Sequence, residues 1–191
     1  MSVSMYLALV HHPIVNKRGE VVTTSVTNLD LHDIARSCRT FGFKKYFVIT
    51  PIIPQQELVK KILLHWKSDV ANEYNPDRQD ALAPIAVYSS WQEAASAIEN
   101  LENVAPIVVT TAAQMLNQSG TTTDLKIKAR TEKRPILLIL GTGWGLHRDV
   151  IDASEFRLNP IPSASTDGYN HLSVRSAAAI YTARLGLEEL P

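Results

Sequence analysis

The sequence predicts an α/β fold: a mostly parallel sheet covered by helices on both faces. Three observations carry this. Short apolar runs alternate along the chain with longer stretches whose apolar residues recur at helical spacing. Turn-forming residues separate the two kinds of segment. Near the C-terminal end a buried-looking strand, Ile136 to Leu140, runs directly into a loop holding Gly141, Gly143 and Gly145. Strict β-α alternation favours parallel strands with helical crossovers on both faces.

Met5 to Val10 reads as the first strand, and Asn16 to Glu20, with Gly19, as a polar turn. Asn28 suits a helix N-cap, and the helix ends near Gly42. Its apolar stripe is Leu31, Ile34, Ala35, Cys38 and Phe41. Tyr46 to Thr50 is a short strand closed by Pro51. A helix follows over about Gln55 to Trp66, with Leu58, Val59, Ile62, Leu63 and Trp66 on one face. Asn72 to Leu82 is polar, contains Pro76 and reads as a loop. Ile85 to Tyr88 is a strand, and Ser90 with Glu93 has capping-box spacing for a helix to about Asn100. Ile107 to Thr110 is the next strand. Thr111 to Arg134 reads as mostly irregular, with one or two helical turns near Ala112 to Leu116. After the glycine loop a short helix is expected from about His147, then a Pro/Ser/Gly/Asp-rich loop over Asn159 to Asn170. The last helix runs from Ser173 to Leu185, burying Val174, Ala177, Ala178, Tyr181 and Leu185.

The 191 residues suggest a single domain, 1–191, with enough chain for a substantial core. There are 19 basic and 19 acidic side chains, so any nucleic-acid surface has to be local. No apolar run approaches transmembrane length, so no membrane association is expected. The N-terminus, MSVSMYLALVHHP, lacks a basic n-region and reads as a strand rather than a signal peptide. A lone cysteine, Cys38, excludes an intramolecular disulfide and fits a reducing cytoplasm. It lies on a helix's apolar stripe and reads as core rather than as a nucleophile.

The glycine loop, GTGWGL, reads either as a ligand-binding edge or as a tight strand-to-helix turn. It lacks the features of a dinucleotide fold, whose G-x-G-x-x-G lies in the first βαβ unit with an acid about 20 residues on. A Walker loop's Gly-Lys-Ser/Thr is also absent. The six histidines show no metal-ligand spacing, and no G-x-S-x-G elbow is present. No metal is expected.

Three segments in one order are more telling than the loop alone. They are NLDLHDIARSCRTFG (Asn28 to Gly42), LLILGTGWGL (Leu137 to Leu146) and YNHLSVRSAAAIYTARL (Tyr169 to Leu185). The set resembles the SPOUT superfamily of S-adenosylmethionine (SAM)-dependent RNA methyltransferases. Its I-A-R…F-G pattern is matched by Ile34, Ala35, Arg36, Phe41 and Gly42. Its polar-L-S-V-x-x-A-x-A-I pattern is matched by Asn170, Leu172, Ser173, Val174, Ala177, Ala179 and Ile180. The layout looks closest to a bacterial single-domain SAM-dependent RNA methyltransferase family. Two positions depart from the pattern. Asp30 stands where many members have Asn, and Trp144 lies in a loop that usually carries an acid after its first glycine.

The resemblance implies a C-terminal trefoil knot and a SAM pocket. By motif position the cofactor-binding residues are Thr110, Leu140, Gly141, Thr142, Gly143, Gly145, Leu146, Ile161, Asn170, Leu172 and Ser173. Leu140, Leu146, Ile161 and Leu172 are the candidates for an apolar slot around adenine. Arg36 is the catalytic candidate, to bind a phosphate or help activate the acceptor. Asp167, Tyr169 and His171 lie in the loop before the last helix, where they read either as groups able to reach a base or as a surface loop. The implied substrate is a tRNA or rRNA nucleotide, methylated on a base nitrogen or a ribose 2′-hydroxyl. The implied assembly is a cytoplasmic homodimer contacting through the knot and the Arg36 helix. Lys126 to Arg134, with five basic residues and one acidic, is the densest basic run, readable as RNA surface or as a solvated connector. The alternative function is a catalytically inactive, SAM-binding dimeric module.

Overall fold

The structure, a computed structural model, describes residues 3–67 and 76–187. In chain order the elements are β1 (Met5–Val10), β2 (Ile14–Val15), β3 (Val21–Val22), α1 (Asn28–Thr40), β4 (Lys45–Ile49), α2 (Ile53–Trp66), α3 (Pro76–Leu82), β5 (Ile85–Tyr88), α4 (Trp91–Glu102), β6 (Ile107–Thr110), α5 (Thr122–Glu132), β7 (Ile136–Gly141), α6 (Arg148–Asp152), β8 (Phe156–Arg157) and α7 (Val174–Gly186). Six strands form one sheet, ordered β5-β4-β1-β7-β6-β8, and every neighbouring pair is parallel. β2 and β3 make a separate antiparallel hairpin.

Alternate residues of the central strands feed two core layers. Leu7, Leu9, Ile136, Leu138 and Leu140 pack with α1, α2, α3, α5 and α7. Tyr6, Ala8, Val10, Leu137 and Ile139 pack with α4 and α6. Burial on both faces explains why these strands are apolar throughout. Cys38 lies in the first layer, and burial pushes its thiol well above the usual range.

The strand order runs outward from β1 in both directions, to β4 and β5 on one side and to β7, β6 and β8 on the other. Where such an order switches direction, the crevice outside the strands' carboxyl ends is the usual ligand site. Val10 and Gly141 are register partners at that point.

Three readings of the sequence need correction. Thr27, not Asn28, caps α1, its side chain accepting from the Asp30 amide. Residues 76–82 of the expected loop over Asn72 to Leu82 are helical, because Pro76 sits at the first helical position, where its missing N–H costs nothing; residues 72–75 lie outside the described residues. Thr111 to Arg134 is not mostly irregular. It contains α5, started by a reciprocal capping box between Thr121 and Asp124, whereas 112–116 is not helical. The hairpin β2–β3 and strand β8 each consist of two-residue strands, too short to show a period.

Candidate functional site

The glycine loop is folded by its glycines. A Cβ on Gly141 would lie 2.8 Å from the Leu146 backbone nitrogen and 2.9 Å from Leu146 Cγ. Gly143 and Gly145 have φ of +60° and +112°, a region that side chains disfavour. The loop docks on the β2–β3 hairpin. Val15 N–H donates to Gly145 O (3.0 Å), Trp144 N–H to Val15 O (3.2 Å) and His147 N–H to Pro13 O (3.2 Å). Thr142 donates twice to Val10 O, through its amide and its hydroxyl, each at 3.2 Å. The amides of Gly143 and Leu146 have no hydrogen-bond partner among the described residues, although Leu146 is buried. Such amides suit a ligand edge that offers acceptors, as the nitrogens of an adenine do. This loop fits SAM better than a phosphate cradle, because its other amides are already spent.

Thr110 ends β6, is fully buried, and shares a hydrogen bond with Ser154 Oγ at 2.8 Å. Leu140 is in the first core layer and half-buried Ile161 packs against that layer. Asn170 Nδ2 donates to Ile161 O (3.0 Å), closing the loop that Ser173 ends by capping α7. The four leucine and isoleucine candidates for one apolar slot do not form a single cluster. Leu146 turns into the second layer beside Ile14 and Val150, because positive φ at Gly145 reverses the chain. Leu172 is 47% exposed. Asp167, Tyr169 and His171 are exposed. Asp167 accepts from the Tyr169 amide (3.0 Å) and the Ser165 hydroxyl, bonds that hold its carboxyl below the usual range.

The two motif helices meet at an ion pair that the sequence does not announce. Asp30, 5% exposed, accepts from Arg175 Nη1 at 2.9 Å and from Thr27 Oγ1 at 2.6 Å. Arg175 also approaches Asp33 at 3.4 Å. Aspartate at the usual asparagine position is thus matched by an arginine on α7. Arg36 lies six residues on, about 9 Å along the helix axis. It is exposed and lines a cleft of about 650 Å³ between α1, α2 and α3. No hydrogen bond or ion pair joins Arg36 to the glycine loop among the described residues.

His11 and Thr24 were not candidates from sequence. Fully buried His11 follows β1, and its Nδ1 lies 3.1 Å from Thr24 Oγ1, which contacts Thr142 Oγ1 in turn. This chain joins the glycine loop to the segment entering α1. His11 Nε2 has no partner among the described residues, and burial lowers the imidazole pKa to about 4 against the opposing effect of Asp30. The only sequence signal was a histidine directly after a buried strand.

The basic run from Lys126 to Arg134 is largely committed internally. Arg134 grips Glu155 with two bonds of 3.0 and 2.8 Å. Lys128 meets Glu132 and Glu155, and Lys126 donates to the carbonyls of Arg184 and Leu187. No helix among the described residues is long and apolar enough to cross a membrane.

A family described as SAM-dependent RNA methyltransferase matches residues 4–186. A protein of Oleidesulfovibrio alaskensis named tRNA (guanine-N(1)-)-methyltransferase is 41% identical over 182 residues, 95% of this chain but 42% of that protein. The chain therefore spans less than half the length of that relative. An uncharacterised protein of Aquifex aeolicus is 31% identical over 95% of this chain and 88% of its own length. Among solved structures, the SpoU methyltransferase AviRb from Streptomyces viridochromogenes, in complex with the cofactor AdoMet, superposes with a TM-score of 0.55 at 14% identity, covering 97% of this chain and 57% of AviRb. The parallel α/β fold is shared with that SpoU methyltransferase.

Proposed function

This chain belongs to the SAM-dependent RNA methyltransferase family, and on that premise we propose that it transfers a methyl group from SAM to a nucleotide of tRNA or rRNA. The observation that carries the reading is the glycine loop at the β1–β7 switch point, with its two unspent amides. SAM, when bound, supplies an electrophilic methyl on a sulfonium for in-line displacement. The chain's own work is then to position the acceptor and remove its proton. Gly141, Thr142, Gly143, Gly145 and Leu146 would present backbone to the cofactor, with Thr110, Leu140, Ile161, Asn170, Leu172 and Ser173 around it. Arg36 would hold an acceptor phosphate or polarise the acceptor.

The relative's name makes tRNA the first RNA to test. Its guanine-N1 specificity is not carried over, because the match takes in only 42% of that protein. We also propose a homodimer and a trefoil knot. Exposed Leu29, Tyr169 and Leu172, on the motif helix and the loop before α7, support a contact there. Backbone bonds from Ser119 to Arg157 O and from Asn159 to Gly120 O, both 2.8 Å, hold the 111–121 segment against the strand that leads into the C-terminal loop.

Isothermal calorimetry with SAM, followed by methyl transfer from labelled SAM to unmodified tRNA and rRNA, tests the proposal. Saturable binding and RNA-dependent incorporation are expected. No heat at millimolar cofactor would overturn it.

A further inference from the structure

The cleft beside Arg36 carries a second recognition element. Its floor is Trp66, half-buried at the end of α2. The Arg78 guanidinium lies 4.9 Å over the Trp66 ring, and the His32 ring meets it edge-on at 5.7 Å. Arg36 and Lys61 line the same cleft and make no hydrogen bond or ion pair with any described residue. The lining carboxylate, Asp33, is engaged by Arg175. Elsewhere many cations are matched: Arg39 with Asp80, Lys44 with Glu102, Arg134 with Glu155. In a chain of zero formal net charge, Arg36 and Lys61 thus give this cleft two cations without an ion-pair partner among the described residues, beside the Trp66 ring.

That combination suits a nucleotide. Unstacked RNA bases pack on aromatic rings and on arginine guanidinium planes, while lysine and arginine take the flanking phosphates. A volume of about 650 Å³ is in the range of small-molecule sites. Burial, then the charges of Arg78 and Arg36, hold the His32 imidazole below its usual range. At neutral pH it is therefore uncharged, and its buried Nδ1 has no partner among the described residues.

We propose that the α1–α2–α3 cleft is a binding site for an unstacked RNA nucleotide, the base packing on the Trp66–Arg78 pair and the phosphates resting on Lys61 and Arg36. It deepens the methyltransferase reading, on which it rests for the choice of RNA as polymer. The cleft shares Arg36 with the proposed acceptor site, but no hydrogen bond or ion pair among the described residues joins Arg36 to the glycine loop, so SAM binding and RNA binding are measured separately.

The experiment is fluorescence anisotropy of a labelled single-stranded RNA of about 12 nucleotides with the full chain, without SAM. Trp66→Ala should weaken binding about ten-fold or more, and Trp66→Phe much less. Lys61→Gln should weaken it and lower the slope of log affinity against log salt by about 0.7, one phosphate contact on a single strand. Lys133→Gln, on the connector after α5, should match wild type. Calorimetry should show SAM binding unchanged in all four variants. If Trp66→Ala proves poorly folded, the exposed Lys61 variant still decides the matter. Binding by Trp66→Ala and Lys61→Gln within about two-fold of wild type would overturn the proposal. So would a change from dimer to monomer in Trp66→Ala, which would make the cleft a subunit contact. Equally tight binding of an oligoglutamate would make it a site for acidic protein segments. Cleft-dependent RNA binding in a chain that fails to bind SAM would sink the methyltransferase reading and leave this one standing.

Discussion

Acidification from about pH 7 to about pH 5 should cost this fold about 2 kcal/mol through one side chain, His11. The imidazole is fully buried after β1, its Nδ1 satisfied by Thr24 and its Nε2 by nothing among the described residues. Burial lowers its pKa from 6.5 to about 4. A base with a depressed native pKa is protonated first in the unfolded chain. Stability is therefore intact above the ordinary value of 6.5 and falls as pH drops, with the full loss reached below about 4. The whole shift corresponds to about 3 kcal/mol, and about 2 kcal/mol of it falls above pH 5. For a chain of this size that is a drop of about 4–8 °C in Tm. Thermal and urea unfolding at both pH values, on wild type and His11→Asn, measure it. Asparagine keeps a polar atom near the Nδ1 position and cannot titrate. His32 shifts in the same direction and leaves a residual slope in the variant. The carboxylates with lowered pKa, Asp124, Glu132 and Glu155 among them, act mainly at lower pH. Equal pH losses in wild type and His11→Asn would refute the buried, neutral imidazole.

Three further outcomes follow from the packing. Gly186→Ala should destabilise by about 1–3 kcal/mol in denaturant melts, although alanine alone would gain about 1 kcal/mol in a helix; its Cβ would lie 2.3 Å from Phe41 O, a backbone atom that cannot rotate away. Gly141→Ala should push Leu146 out of place and lower SAM affinity about ten-fold or more by calorimetry. Arg175→Ala should cost about 1–2 kcal/mol, reduced from the fully buried case because Arg175 is 34% exposed; Asp30→Asn in that background should recover part of the loss in a double-mutant cycle.

The sheet was legible because its strands are buried on both faces. Met5–Val10, Ile85–Tyr88 and Ile107–Thr110 coincide with the expected ranges, and Lys45–Ile49 differs by one residue. Burial leaves a continuous apolar run that needs no partner to be read. What was lost depends on contacts distant in sequence. β2 and β3 exist because the glycine loop docks on them, and that loop lies over a hundred residues away. α5 was hidden because its exposed face is a dense mixture of charge, while only Leu125 and Ala129 are buried. The basic run also shows why charge counted along a sequence misleads about surface: its glutamate partners, Glu132 and Glu155, fold back onto it. Cleft residues Lys61, Trp66 and Arg78 lie on two helices and form no linear pattern.

The three sequence motifs are coupled physically as well as by order. α1 meets α7 through Asp30 and Arg175, so the aspartate departure in the first motif is answered by an arginine in the third. The second motif is tied to the segment entering α1 through Thr142, Thr24 and His11, at the end of β1. Each link ends on a group that is buried or nearly so, where an unmatched partner is expensive. Losing any one should therefore disturb the others. A substitution at Thr24, which touches neither the sheet core nor the proposed RNA cleft, should loosen the glycine loop. Thr24→Val keeps the shape and removes the hydroxyl between His11 and Thr142, leaving both without that partner. Weaker SAM binding with the same RNA affinity is the expected signature. Unchanged SAM binding would mean that the glycine loop is held by its backbone bonds to the hairpin alone.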